Sequence, residues 1–348
     1  SLLEVSDKEQ NNHFSDHYIE EAFDLSNVMF IATANYEEQI PLELKDRLEI
    51  IYIPSYTEYE KLEIANHYLI PKVMDEVGLT SFQVSFDKEA VLEIIRSYTK
   101  EAGVRDLERM IAKILRKIVK VSLETKEVML YQITTASLKD YLGKKIYTYH
   151  EQKENYELGV VNGLAYTPFG GDILPIESTY YKGKGDLILT GSLGEVMQES
   201  AQIALSYIKA NKEIFSLPSD LFENDIHIHL PEGAISKEGP SAGIALTTSL
   251  ISCLSGKKIS SKIAMTGEIT LQGHILGIGG LREKILGAYR AGIKIVYLPS
   301  ENEGDLEKIP LEIKNQMTFC FVKNYLEIAN DLFLKNKIKA KRKETVTL

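Results

Sequence analysis

The segment Pro231-Glu-Gly-Ala-Ile-Ser-Lys-Glu-Gly-Pro-Ser-Ala-Gly-Ile244 decides how the rest of the chain is read. Ser241 lies between Gly239-Pro240 and Ala242-Gly243, at the mouth of a long apolar run. Small neighbours let another backbone approach closely. Residues 244–254 are apolar on nearly every side, the pattern of a helix buried all round. Ser241 is then expected in that helix's first turn, where unpaired N–H groups and the positive dipole end favour an oxyanion. A serine so placed is a candidate nucleophile. The plainer reading is a helix cap, because serine favours N-caps and Gly-Pro precedes many helices.

A nucleophilic serine needs a base. Gly239-x-Ser241-x-Gly243 fits the nucleophile elbow of α/β-hydrolases, which demands the order serine, acid, histidine. Downstream, His274 is the only histidine and Glu268 the only acid before it, and both are expected on one hairpin. One hairpin is a poor source of two partners. His227 and His229, upstream, keep a Ser-His ester hydrolase open as one alternative, a nucleotide-responsive oligomerisation or binding module being the other. The other common base is lysine, which must be neutral and therefore buried. In Leu281-Arg-Glu-Lys-Ile-Leu-Gly-Ala288, positions Leu281, Lys284, Ile285 and Ala288 share one helical face. Lys284 lies on the inward stripe, with Arg282 and Glu283 off it. A lysine at a stripe's edge can also snorkel to water. Together the two oddities suggest a Ser–Lys pair.

Three motifs now carry a resemblance: Lys-Glu-Gly-Pro-Ser-Ala-Gly-Ile (237–244), Ala-Met-Thr-Gly-Glu-Ile-Thr-Leu (264–271) and Gly-Ile-Gly-Gly-Leu-Arg-Glu-Lys (277–284). They resemble the signature of the Lon family of ATP-dependent proteases, and the likeness runs over nearly the whole chain. It implies Ser241 as nucleophile, Lys284 as general base, and Thr266 as the residue that places the lysine. Many bacterial members have Asp before Gly-Pro-Ser. Here it is Glu238, and the acid there is expected to gate the site. The resemblance also implies a homo-hexamer acting on unfolded protein or peptide substrates in protein quality control. ATP or ADP with Mg belongs to the full-length protein, and the protease chemistry itself needs no cofactor.

The implied fold is α/β and α+β multidomain. Residues 1–54 are read as the C-terminal part of an AAA+ α/β subdomain. Residues 55–142 are read as a helical lid, 143–156 as a linker, 157–334 as an α/β Lon-type protease domain, and 335–348 as a basic tail. In the first, Val28-Met-Phe-Ile-Ala32 reads as a buried parallel strand. Asn35 follows, where nucleotide sites collect, though alone it reads as a turn residue. The resemblance makes Asn35 a γ-phosphate sensor, Arg47 an arginine finger and Arg105 a sensor on the lid. Arg105 falls in the first turn of its helix, read from Gly103, where a cation is disfavoured. None of the Gly-Lys steps is followed by Ser or Thr, so no phosphate loop is present. Neither Walker motif is found, and the chain is read as a truncated piece that hydrolyses no ATP. Phosphate release with turnover would overturn that.

In the lid, Thr57-x-x-Glu60 reads as a capping box ahead of a Leu62, Ala65, Leu69 stripe. A second helix from Asp87 turns Val91, Ile94, Ile95 and Tyr98 inward, and a third carries Leu107, Ile111, Ile114, Leu115 and Ile118. Beyond the linker come short strands. Gly170-Gly171 reads as a turn and Ser192-x-x-Glu195 as a second capping box. Asp225-Ile-His-Ile-His-Leu230 alternates, with Ile226, Ile228 and Leu230 on one side and both histidines on the other. Two histidines could start a metal site, but no third ligand follows at useful spacing, so none is expected. His229 is expected to line the substrate groove.

Composition sets outer limits. A net charge of −10 argues against nucleic acid as the main partner, so DNA binding is open but not indicated. No apolar run is long enough to span a bilayer, so no membrane partner is expected. Cys253 and Cys320 form no disulfide framework and read as buried thiols in a reducing compartment. A bacterial cytoplasm is expected, with the mitochondrial matrix as the alternative.

Overall fold

The structure is a computed structural model describing residues 2–15, 18, 21–34, 40–79, 83–125, 130–147, 155–167, 170–231 and 237–334. The chain divides into two units, Ser1–Pro54 and Ser55–Leu348. The first holds short helices at Leu2–Ser6 and Leu42–Lys45 and a two-residue ladder of Phe14–Ser15 with Ala22–Phe23. Val28–Ala32 forms no strand: Met29 is 84 % exposed and Ile31 83 %. This corrects the buried-strand expectation. A buried parallel strand needs a partner on each side and cover on both faces, and none of the described ladders includes these residues.

The second unit begins with a group of helices. Thr57 and Glu60 make the reciprocal capping box that opens helix α1 (Glu58–Ile64). A π-turn at Ala65–Leu69 carries it into α2 (Ile70–Glu76). Pro71 explains the turn: it has no N–H for the carbonyl one turn back, and its ring crowds that carbonyl. Strand β1 (Val84–Phe86), helices α3 (Lys88–Ser97) and α4 (Arg105–Thr125), strand β2 (Tyr131–Ile133) and helix α5 (Leu138–Leu142) follow. β1 and β2 pair in parallel. The stripes at Leu62, Ala65, Leu69, at Val91, Ile94, Ile95, and at Leu107, Ile111, Ile114 fill one core.

A two-residue ladder pairs Tyr156–Glu157 with Ile259–Ser260. Further strands are β3 (Val160–Thr167), β4 (Gly170–Tyr181), β5 (Leu187–Thr190) and β6 (Asp225–His229). After them come β7 (Ile263–Met265), the hairpin β8 (Glu268–Ile269) with β9 (Ile275–Leu276), then β10 (Ile295–Pro299) and β11 (Thr318–Val322). Seven of them form one sheet in the order β11-β10-β7-β3-β4-β6-β5. The β11, β10, β7 and β3 neighbours run parallel, while β4 is antiparallel to β3 and β6. Helices α6 (Glu195–Ala210), α7 (Gly243–Ser255), α8 (Leu281–Arg290), α9 (Leu311–Lys314) and α10 (Tyr325–Leu332) complete the unit.

Side chains alternate along the parallel strands and so build two cores. Met265 and Tyr297 join the core of α6, α7 and α10, while Ala264, Val296 and Leu298 join that of α8 and α9. Helices therefore cover both faces of a mixed sheet, as in α/β folds. α7 is buried from Gly243 to Leu254, as its apolar run predicts.

Three local readings need correction. Ser192 does not cap α6: it stands at φ 58° and the cap is Gly194, whose N–H bonds the Lys237 carbonyl at 3.0 Å. A left-handed residue two places ahead of the cap cannot turn its hydroxyl to the first turn. Gly170 and Gly171 open β4 rather than making a turn. Cys320 is only half-buried, whereas Cys253 is buried.

Candidate active site

The chain reaches Ser241 through Gly239, whose φ of 99° suits glycine, and Pro240. Ser241 sits in the single 3₁₀ turn Pro240–Ala242 that leads into α7, one step ahead of the α-helical turn expected for it. That turn is stitched to the carboxyl end of β7. Gly267 N donates to the Ser241 carbonyl at 2.8 Å, and Thr266 Oγ1 donates to the same oxygen at 3.1 Å. In return Ile244 N donates to the Gly267 carbonyl at 3.1 Å. β7 is only three residues long. Beyond its end, side chains from helices on opposite faces of the sheet can meet.

They do meet there. Lys284, in the first turn of α8, donates from Nζ to Ser241 Oγ at 3.1 Å and to Thr266 Oγ1 at 3.3 Å. Lys284 is 4 % exposed and Thr266 is fully buried. Burial pushes the Lys284 amine down to about 8, because desolvation penalises its charged form. Glycine fixes the helix's position. A Cβ on Gly171 would overlap the Glu283 carbonyl, and one on Gly287 would meet the Gly171 backbone. α8 therefore rests on the bare backbone of β4, and Arg290 closes the contact with a 2.5 Å bond from its guanidinium to Gly171 O.

The outer side of α8 meets the helical first part of the unit. Arg282 donates to Ser55 O at 2.7 Å and Tyr289 hydroxyl lies 3.4 Å from that of Tyr59. Lys100 pairs with Asp172, next to Gly171, at 2.7 Å. The sequence reading missed these residues, and also Lys237, whose Nζ reaches Gly191 O at 3.0 Å.

The other candidates lie elsewhere. His229 Nδ1 and His227 Nε2 share the Thr190 hydroxyl at 2.7 and 2.9 Å, and neither is a partner of Ser241. Glu238 is exposed, and its carboxylate packs on Gly194 at the start of α6. Arg47 donates to Leu3 O at 2.6 Å and pairs with Asp7 at 3.2 Å. Arg105 is exposed at the start of α4, whose first amides are capped by the Glu101 carboxylate. Asn35 and residues 335–348 lie outside the described residues. Among the described residues no cluster of His, Cys, Asp or Glu is arranged to hold a metal, and no helix is long and apolar enough to cross a membrane.

A buried amine and a hydroxyl thus meet beyond the end of a short strand, on a sheet covered by helices on both faces. Comparison with known proteins gives the kind of domain. Residues 132–335 match the Lon protease (S16) C-terminal proteolytic domain, and residues 75–130 match the Lon protease AAA+ ATPase lid domain. The Lon protease of Mycoplasma mycoides is 53% identical over 337 residues, covering 97% of this chain and 42% of the relative. That of Bacillus thuringiensis is 52% identical over 331 residues, covering 94% and 41%. That of Dictyoglomus thermophilum is 49% identical over 344 residues, covering 99% and 43%. The chain belongs to the Lon protease family. It spans about two fifths of the length of these bacterial relatives.

Proposed function

We propose that this chain hydrolyses peptide bonds with Ser241 as nucleophile and Lys284 as general base. The observation that carries the reading is the 3.1 Å approach of a buried lysine to a serine hydroxyl. With the amine held near 8, roughly one lysine in ten is neutral at pH 7, against roughly one in several thousand for an ordinary lysine. Neutral Lys284 takes the Ser241 proton as the serine oxygen attacks the scissile carbonyl. The resulting ammonium gives that proton to the leaving amine, and water then resolves the acyl-enzyme. Thr266 bonds both the lysine and the serine backbone, so it holds the two at working distance. Backbone amides at the mouth of α7 are the oxyanion donors, each worth about 3–4 kcal/mol when removed.

For the whole protein we propose ATP-dependent degradation of misfolded and regulatory proteins by a homo-hexamer in the bacterial cytoplasm. The lid domain and the named relatives support it. ATP supplies the work of unfolding when bound. In this chain Arg47 is engaged with Leu3 and Asp7, and the sequence holds no phosphate loop. These residues do not by themselves make a nucleotide site. Glu238 stands three residues ahead of Ser241 with its carboxylate on Gly194, and we propose it as the residue that gates the site.

The test is cleavage of an unstructured fluorogenic peptide. Ser241→Ala and Lys284→Ala are each expected to abolish turnover, and a peptide boronate is expected to bind only the unaltered serine. Full cleavage by either variant sinks the assignment. Loss of turnover in His229→Ala, with Lys284→Ala active, would favour a Ser-His hydrolase instead.

A further inference from the structure

Where α1 and α3 meet the far end of α8, the unit encloses a small cavity that peptide hydrolysis does not use. Lys61, Arg96, Lys100 and Arg290 line it, with Glu58 and Glu101 as its carboxylates. Most of these charges are matched. Arg96 forks onto Glu58, with its Nε at 2.9 Å. Lys100 pairs with Asp172. The two Glu101 carboxylate oxygens accept Asp106 N at 2.9 Å and Leu107 N at 2.8 Å, which caps α4.

Two cations, Lys61 and Arg290, are left with one carboxylate charge, that of Glu101, between them. Lys61 is 5 % exposed, and among the described residues its ammonium reaches the Glu101 carbonyl oxygen rather than a carboxylate. Arg290 gives one terminal nitrogen to Gly171 O, while its Nε is buried without a hydrogen-bond partner among the described residues. Burial pushes Lys61 down to about 8, Glu101 opposes that, and the Arg290 charge adds to it. An ammonium offers three donors and one is used here. Buried charge and buried unpaired N–H groups are both costly. Deprotonating Lys61 would relieve only half of the problem, because a guanidinium does not lose its proton.

We infer that this cavity binds a monatomic anion of chloride's size, held between the Lys61 ammonium and the Arg290 Nε–H. Size selects the ligand. The space left is about 20 Å³, room for one water-sized particle. Phosphate and sulfate are too large for it. A neutral water would satisfy N–H groups but leave one positive charge in excess, since Glu101 is the single carboxylate facing both cations. The site bridges α1 to the last residue of α8, whose first turn carries Lys284. An anion bound there fastens α1 to that helix.

The experiment is a thermal unfolding series on the full chain in sodium chloride, sodium gluconate and sodium phosphate at one ionic strength. Chloride is expected to raise the midpoint saturably above gluconate, and Lys61→Met to remove that difference while still unfolding cooperatively. Crystals soaked in bromide are expected to show an anomalous peak between Lys61 Nζ and Arg290 Nε. Superimposable chloride and gluconate curves would overturn the inference. So would a Lys61→Met variant with the full chloride response, or phosphate acting more strongly than chloride. Should Lys61→Met fail to fold, the bromide map decides alone, and an empty cavity at saturating bromide refutes the site. Neither readout involves peptide cleavage, so failure here leaves the Ser241–Lys284 reading untouched.

Discussion

Lys284 and Lys61 are both buried, and burial pushes both to about 8. Their surroundings differ. Lys284 faces two hydroxyls, Ser241 and Thr266. Lys61 faces a backbone carbonyl, a neighbouring arginine and two glutamates already engaged elsewhere. Desolvation alone therefore does not make a catalytic base. A neutral amine becomes useful when the group it touches can give up a proton to be used in a reaction. A carbonyl cannot do so, and the Lys61 site is left with a charge that calls for a counter-ion instead.

The widest separation between the two sites is expected in cleavage rate. Lys284→Met should lower peptide hydrolysis by a thousandfold or more, on the order seen when one member of a catalytic unit is removed. Lys61→Met should leave it within about threefold, since a site remote from the reacting atoms contributes little to the barrier. Equal losses would erase the contrast. The unaltered chain's rate should climb with pH through about 8 as Lys284 loses its proton, and that midpoint should survive in Lys61→Met.

Stability separates them next. The folded-state value of Lys284 lies below its ordinary value of 10.5, so between about 8 and 10.5 the unfolded chain holds the extra proton. Stability thus rises with pH across that window, and below about 8 the folded state bears the full cost of the buried charge. Lys284→Met is expected to stabilise the chain at pH 7 by up to about 3 kcal/mol, with the gain gone by about pH 11. Denaturant titration at both pH values measures it. The gain for Lys61→Met should be smaller, because that variant also strands the Glu101 carbonyl.

A smaller effect probes how α8 is seated. Gly171→Ala should cost about 1–3 kcal/mol of stability by forcing α8 off β4. It should also slow cleavage, although Gly171 touches neither Ser241 nor the substrate. A variant as active and as stable as the parent would show that the close approach does not matter. The smallest expected change is Thr266→Val. Loss of one hydroxyl that bonds both partners should slow cleavage about tenfold, the kinetic equivalent of one ordinary hydrogen bond. KM should stay close to its starting value.

The lysine on α8 was legible because Leu281, Lys284, Ile285 and Ala288 mark one helical face, and all four are buried. The same test would have found Lys61. It stands four residues before Ala65 and eight before Leu69, on a stripe read only for its apolar members. Capping by Thr57 and Glu60 was legible because both partners lie within one turn. Ser192-x-x-Glu195 carries the same local pattern and failed. There the chain is drawn across to Lys237, by Lys237 N to Ser192 O and by Gly194 N to Lys237 O, both 3.0 Å. Val28–Ala32 failed for a related reason, since hydrophobicity specifies a buried strand only where neighbouring strands pair with it.

The sequence by itself determined the helices and their inward faces, the alternation of the strands, and Ser241 and Lys284 as the residues to watch. Those follow from interactions within a few residues, where period and propensity act. The 3.1 Å separation and the neutralisable amine were decided only by the tertiary structure. Ser241 and Lys284 are carried by helices that bury into different cores on opposite faces of the sheet. Their meeting depends on β7 stopping after three residues, and on a glycine in β4 letting α8 lie against its backbone. A lysine's proton affinity is set by everything packed around it, and no stretch of neighbouring residues contains that sum.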